Sequence, residues 1–154
     1  MLKIRGRHRE KISVIAALTL SRARRKAGLY FNTCTNGSIN DRRVVAFLRD
    51  LLRHLRGAVV LVWDRLNTHR SHFTKAFLQK HPRLRTELLP PYAPDLNPVE
   101  WLWMDGKCRE LANHGIQDVA DLRGRVQRHA RKTRANPKKL RGFFRSARLP
   151  MLMP

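Results

Sequence analysis

The sequence predicts an α/β fold, a sheet layered with helices, and three observations carry that prediction. Residues 11–20 (KISVIAALTL) form a run rich in Ile, Val and Leu. Residues 58–63 (AVVLVW) form a continuous apolar run directly after a helical stretch. The segments between and beyond these runs repeat their apolar residues at helical spacing.

Taken in order, residues 11–20 read as a strand and residues 28–33 (GLYFNT) as a second, with residues 22–26 turning between them. Asn40 is placed to cap a helix running to about Leu55. Val44, Phe47, Leu48, Leu51, Leu52 and Leu55 lie along one face, Arg42, Arg43, Arg49 and Arg53 along the other, and Gly57 closes it. Residues 58–63 then predict a strand buried on both faces. Residues 69–80 suit a short helix carrying Phe73, Ala76, Phe77 and Leu78, stopped by Pro82, and residues 85–89 a short strand. Four prolines make residues 90–98 (PPYAPDLNP) a loop. A helix from Pro98 to about Ala112 follows, then basic helices over residues 118–133 and 137–145. The expected organisation is a domain over residues 1–112 and a basic helical extension over 113–154, with no internal repeat.

A chain of 154 residues with 42% hydrophobic content can build a core, so disorder throughout is excluded. Its 33 Lys and Arg against 11 Asp and Glu give a net charge of +22, which points to a polyanion, and nucleic acid before others. No apolar stretch approaches the ~20 residues a membrane-spanning helix needs. The N-terminal stretch has basic flanks around an apolar centre, but that centre is short, holds Ser13 and Thr19, and lacks a small-residue cleavage site. Cys34 and Cys108 form no C-x-x-C pair, so neither a disulfide framework nor a zinc site is indicated, and a reducing cytoplasm is expected.

The charge is uneven. Residues 123–148 hold eleven Lys and Arg and no acid: Arg123, Arg125, Arg128, Arg131, Lys132, Arg134, Lys138, Lys139, Arg141, Arg145 and Arg148. These are expected to contact DNA phosphates. Residues 86–106 reverse the balance, with Glu87, Asp95, Glu100 and Asp105 and no base. Chance plus helix capping would explain that island, as would a cation site set within a polyanion-binding surface. Asp64 stands at the carboxyl end of the apolar run, where functional groups gather in open α/β sheets, and this reading is favoured over a cap on the next turn. In Asn97-Pro98-Val99-Glu100, local sequence makes Glu100 the reach-back residue of a capping box. Trp101 and Trp103 read as core aromatics rather than base-stacking platforms. His69 and His72 lack a third ligand for zinc.

The paired segments VVLVWDRLNTHRS and LPPYAPDLNPVEWLWMDGK resemble the catalytic domain of DDE transposases of the IS630 and Tc1/mariner type, over roughly residues 11–111. In that pattern a strand-end Asp is followed, thirty-odd residues on, by Pro-x-Leu-Asn-Pro-x-Glu opening a helix; here 35 residues separate Asp64 from Glu100. The resemblance implies a ribonuclease-H-like fold, a mixed sheet flanked by helices. It implies that Asp64 and Glu100 are catalytic metal ligands brought together by the fold, and that they hold Mg2+ or Mn2+. Two such ions, about 4 Å apart, serve in-line attack on a phosphodiester. It also implies DNA, both transposon ends and target, as partner. On this resemblance Glu100 is a ligand before it is a cap.

The family's first acid lies on a central first strand ahead of the segment matching residues 11–20. Here only Glu10 stands nearby, with no apolar strand before it. The chain is therefore expected to be the C-terminal portion of a transposase, truncated or frame-split, with metal affinity weakened by the missing acid. A homodimer or an upstream reading-frame product would supply the missing strand; alone, the chain is expected to aggregate or dimerise, and to bind DNA without cutting it. The competing readings are a non-catalytic basic DNA-binding remnant and a general RNA-binding basic protein, the latter disfavoured by the acidic island. A bacterial, nucleoid-associated location is expected.

Overall fold

The computed structural model of the chain describes residues 2–3, 11–21, 26–111 and 118–149. The chain divides into two compact units, one formed by Met1–Ser38 with Pro94–Pro154 and the other by Ile39–Ala93. The expected turn at residues 22–26, apart from Lys26, and the expected boundary between residues 112 and 113 lie outside the described residues, as does Glu10.

The first unit is an antiparallel sheet with helices on one face. Its strands are β1 (Leu2–Lys3), β2 (Lys11–Leu20) and β3 (Ala27–Thr35), in that order, and β2 pairs with β3 from Ile12↔Thr35 to Leu20↔Ala27. Ala16 and Leu18 lie opposite Phe31 and Leu29, and side chains of paired residues share a face. That face packs against Leu102, Ala130, Leu140 and Phe143, with Trp101 and Trp103 partly buried beside them. These residues come from three helices. Three others complete the numbering ahead of them in the chain: α1 (Asp41–His54), α2 (Asn67–Arg70) and α3 (His72–Gln79), all in the second unit. The sheet-packing helices are α4 (Pro98–Gly106), α5 (Val119–Arg134) and α6 (Pro137–Ser146). Each starts on a side-chain cap: Asn97 accepts from the Val99 N–H, Asp118 from Asp121 and Asn136 from Lys139. The expected helix to Ala112 is α only to Gly106, and a π-type turn covers Lys107–Leu111. The basic helices α5 and α6 thus lie on the sheet, within the same unit as α4.

One cluster ties these helices together. The Asp105 carboxylate meets Arg109 Nε at 2.8 Å, Lys139 Nζ of α6 at 2.6 Å and His129 Nε2 of α5 at 3.4 Å. Burial would raise the Asp105 pKa, but the Lys139 and Arg109 contacts, with the charges of Lys139 and His129, hold it below the usual carboxylate range. Gly106 fits beside it because a Cβ there would lie 3.1 Å from His129 Cδ2.

The second unit holds α1, α2 and α3 with the parallel pair β4 (Val59–Trp63) and β5 (Leu84–Leu88). Asn40 caps α1 as expected, accepting from the Arg43 N–H at 3.0 Å, and Val44, Val45, Phe47, Leu48, Leu51 and Leu52 are buried. At its other end Arg83 donates to the carbonyls of Leu55 (2.8 Å) and Gly57 (3.0 Å) and to that of Leu52. Gly57, at φ +74°, adopts the left-handed conformation that glycine tolerates.

Two expectations are corrected here. The strand at residues 58–63 is not buried on both faces: Val60 and Val62 are 62% and 52% exposed, because no described residue packs over that side of β4. The helix expected over residues 69–80 is broken at Ser71, whose backbone is extended. Its Oγ accepts from the Thr74 N–H at 3.1 Å, while Thr74 Oγ1 donates to the Thr68 carbonyl at 2.7 Å. Side-chain bonds of this local kind compete with the helical ladder.

Two measurements follow from these clusters. Asp105→Asn leaves Lys139 without its partner and is expected to lower stability by ~3 kcal/mol in urea unfolding. A carboxyl with a lowered folded pKa contributes stability that is present above about pH 4 and lost as pH falls through the folded value, so the variant should lose less stability than wild type on acidification. Arg83→Ala should cost about 2 kcal/mol, since it removes charge-assisted bonds to the carbonyls of Leu52, Leu55 and Gly57 at the end of α1; an unchanged urea midpoint would exclude that role.

Candidate active site and nucleic-acid interface

Asp64 follows the last residue of β4, in the Ile39–Ala93 unit. Its Oδ1 accepts from the Leu66 N–H at 3.2 Å and lies 2.8 Å from His69 Nδ1, and the carboxylate is 45% exposed. The local capping role open from sequence is thus partly filled. Oδ2 has no partner among the described residues.

Glu100 is the third residue of α4, in the other unit, and is exposed. The capping box expected from sequence is not closed. The Asn97 N–H donates instead to the Pro94 carbonyl at 2.9 Å, within a 3-10 turn over Pro94–Leu96. Among the described residues the Glu100 carboxylate has no hydrogen bond or ion pair. Trp101 is turned inward beside it, and its Nε1–H donates to the Asp95 carbonyl at 3.2 Å.

The unengaged oxygens are therefore Oδ2 of Asp64 and both oxygens of Glu100. Hard divalent cations take oxygen donors, so these groups fit Mg2+ or Mn2+. Among the described residues no three His, Cys, Asp or Glu side chains gather as a ready-made metal set. His72 is exposed, and His69 is turned to Asp64. Cys34 is buried and Cys108 exposed, both free thiols. Among the described residues no helix is long and apolar enough to cross a membrane.

The basic residues of α5 and α6 separate into two groups. Arg123, Arg128, Arg131, Lys132, Arg134, Lys138, Arg145 and Arg148 are exposed. Arg125, Lys139 and Arg141 are half-buried; Arg125 pairs with Asp121 at 2.9 Å and Lys139 with Asp105. The stretch without acids in sequence is thus supplied with acids by the fold at its inner face, and its outer face is rich in exposed bases. Arg134 also lies over the Phe31 ring, 5.2 Å from its centroid.

Sequence reasoning weighed His69 only as a zinc ligand and missed its place against Asp64. The signal was the five-residue step from a strand-end Asp to a His. Asp105 was read as one member of an acidic island and Lys139 as a phosphate contact, and their pairing had no local sign.

Among curated proteins, none matches the sequence. Solved structures do. The catalytic domain of Mos1 mariner transposase is 13% identical, with a TM-score of 0.62 over 90% of this chain and 76% of that one. The same transposase with raltegravir and Mg is 15% identical, with a TM-score of 0.58 over 90% of this chain and 77% of that one. The Mos1 mariner paired-end complex with Mn is 16% identical, with a TM-score of 0.66 over 97% of this chain and 44% of that one. At such identities the likeness speaks for the fold, and it agrees with the expected ribonuclease-H-like class. The sequence profile described as DDE superfamily endonuclease matches residues 3–123, a span that includes both Asp64 and Glu100. This chain belongs to the DDE superfamily endonuclease family.

Proposed function

We propose that this chain acts on DNA as a transposase domain, with Asp64 and Glu100 as the carboxylates that hold Mg2+ or Mn2+. The observation that carries this reading is that the two acids of the family motif keep oxygens unengaged, in a chain where bases outnumber acids three to one. Asp50, Asp105 and Asp121, by contrast, each pair with a neighbouring guanidinium. When bound, the metal supplies Lewis-acid stabilisation of the charge developing on phosphodiester oxygens. The chain's own contribution is to hold the phosphate backbone on the exposed bases of α5 and α6, and to present carboxylate oxygens from a strand end and a helix start.

The exposed Val60 and Val62 of β4 leave an apolar face, and a second copy or a separately encoded segment is proposed as the partner that covers it. For a chain that acts on DNA, a nucleoid-associated location in a bacterial cell is proposed. Among the described residues no three His, Cys, Asp or Glu form a metal-holding set, and the chain alone is proposed to bind DNA without cutting it.

Three outcomes are expected. Duplex binding measured by anisotropy across a salt series should give a linear log–log plot of slope roughly −5, if about six phosphates are contacted. Charge-neutral substitution of Arg131, Lys138 and Arg145 together should flatten it by about 3 × 0.9. Mn2+ uptake should fall in both Asp64→Asn and Glu100→Gln. A salt-independent affinity would remove the basic helices as the contact surface. Nicking by this chain that vanishes in Asp64→Asn would show that further carboxylates complete the site.

A further inference from the structure

After Asp64 the chain turns through Arg65 and Leu66 into the single turn α2, which returns His69 to the end of β4. The imidazole stacks on the Trp63 indole with centroids 4.3 Å apart and planes 6° apart. Trp63 is 8% exposed and the His69 side chain 15%, so the ring rests on a fixed floor. Its Nδ1 lies 2.8 Å from Asp64 Oδ1 and 3.3 Å from the Asp64 carbonyl oxygen. A carboxylate and a carbonyl only accept, so Nδ1 carries the hydrogen. The Leu66 N–H donates to the same Oδ1. Oδ1 therefore takes two donors and Oδ2 takes none from the described residues.

We infer that His69 is a positioning residue: clamped on Trp63, it fixes the Asp64 carboxylate so that Oδ2 alone is presented, making Asp64 a one-oxygen ligand for a divalent cation. The inference rests on Asp64 being a metal ligand, as proposed above. Two physical effects follow. Outer hydrogen bonds orient a metal-binding group before the metal arrives, so less side-chain freedom is lost on binding. They also keep the carboxylate from its cationic neighbours. Arg65 and Arg70 follow it in sequence, and the Arg65 Nε–H is directed to the Leu89 carbonyl at 3.3 Å. A carboxylate free to rotate among such groups would form an ion pair and lose its open oxygen.

The test compares Mn2+ binding, read from the free-ion paramagnetic resonance signal, in the wild-type chain and three variants. His69→Phe keeps a ring on Trp63 and removes the donor; His69→Asn keeps an N–H near the Nδ1 position and removes the ring; Asp64→Asn removes the ligand. His69→Phe should bind about 10- to 100-fold more weakly than wild type, the range for losing an outer-sphere partner, and His69→Asn should recover most of that loss. Wild-type binding in His69→Phe alongside weakened binding in Asp64→Asn would overturn the inference while leaving Asp64 as a ligand. Equal Mn2+ uptake by wild type and Asp64→Asn, or none by either, would overturn the reading of Asp64 and the inference with it. Imidazole 15N resonances of the wild-type chain give a readout independent of any variant's folding. They should show His69 protonated at Nδ1, and an Nε2–H tautomer would overturn the inference.

Discussion

Helix α4 is nine residues long and is held at two heights, and the sheet-containing unit is arranged around that restraint. Near its start Glu100 faces solvent; in its middle Leu102 is buried to 1% exposure against the β2–β3 face; near its end Asp105 is ringed by Arg109, His129 and Lys139. Leu102 supplies the apolar burial, and the Asp105 cluster supplies direction, because a charge removed from water must keep its partners. Rotation of α4 about its axis would expose Leu102 and strip Asp105 of Lys139 together. Glu100 shares that helix, so its direction is fixed by groups that never touch the chemistry.

The same cluster sorts the charge of the C-terminal helices. Leu122 and Leu140, both fully buried, set which way α5 and α6 face. The bases on the inner side then need acids, and Asp105 and Asp121 provide them. What is left outside is a surface of exposed Arg and Lys, suited to a phosphate backbone. Neutral and charged roles within one short basic stretch are thus assigned by helix geometry, which brings residues three and four apart to one side.

Much of this was legible in the sequence because the signals were local. The β2 run, the Asn40 and Asn97 caps, the proline at Pro98 and the apolar period of α1 each act within a few residues, and the elements begin where those signals stand. The break at Ser71 was not legible, since it depends on a Thr74 hydroxyl reaching the Thr68 carbonyl rather than on any helix-breaking residue. Nor was the open side of β4. An apolar run says what a strand can bury, and only tertiary packing says how much it does. The Asp64–Glu100 motif was legible as a family pattern. The state of each carboxylate, with one oxygen of Asp64 engaged and Glu100 released from its cap by the Pro94 carbonyl, depends on hydrogen bonds that spacing does not encode.

The uncovered valines of β4 have a practical side in the laboratory. Two neighbouring apolar side chains on a strand are an adhesive patch, and mutual repulsion between molecules of charge +22 opposes their meeting in dilute buffer. At ~1 M salt the screening length falls to about 3 Å, so the concentrated salt that strips nucleic acid from a basic protein also removes the repulsion that keeps it in solution. Bound polyanion neutralises the same charge from the other direction. The colloidal behaviour of the chain is thus set by a compromise: enough electrolyte to free it from nucleic acid, and little enough that Val60 and Val62 of different molecules do not meet.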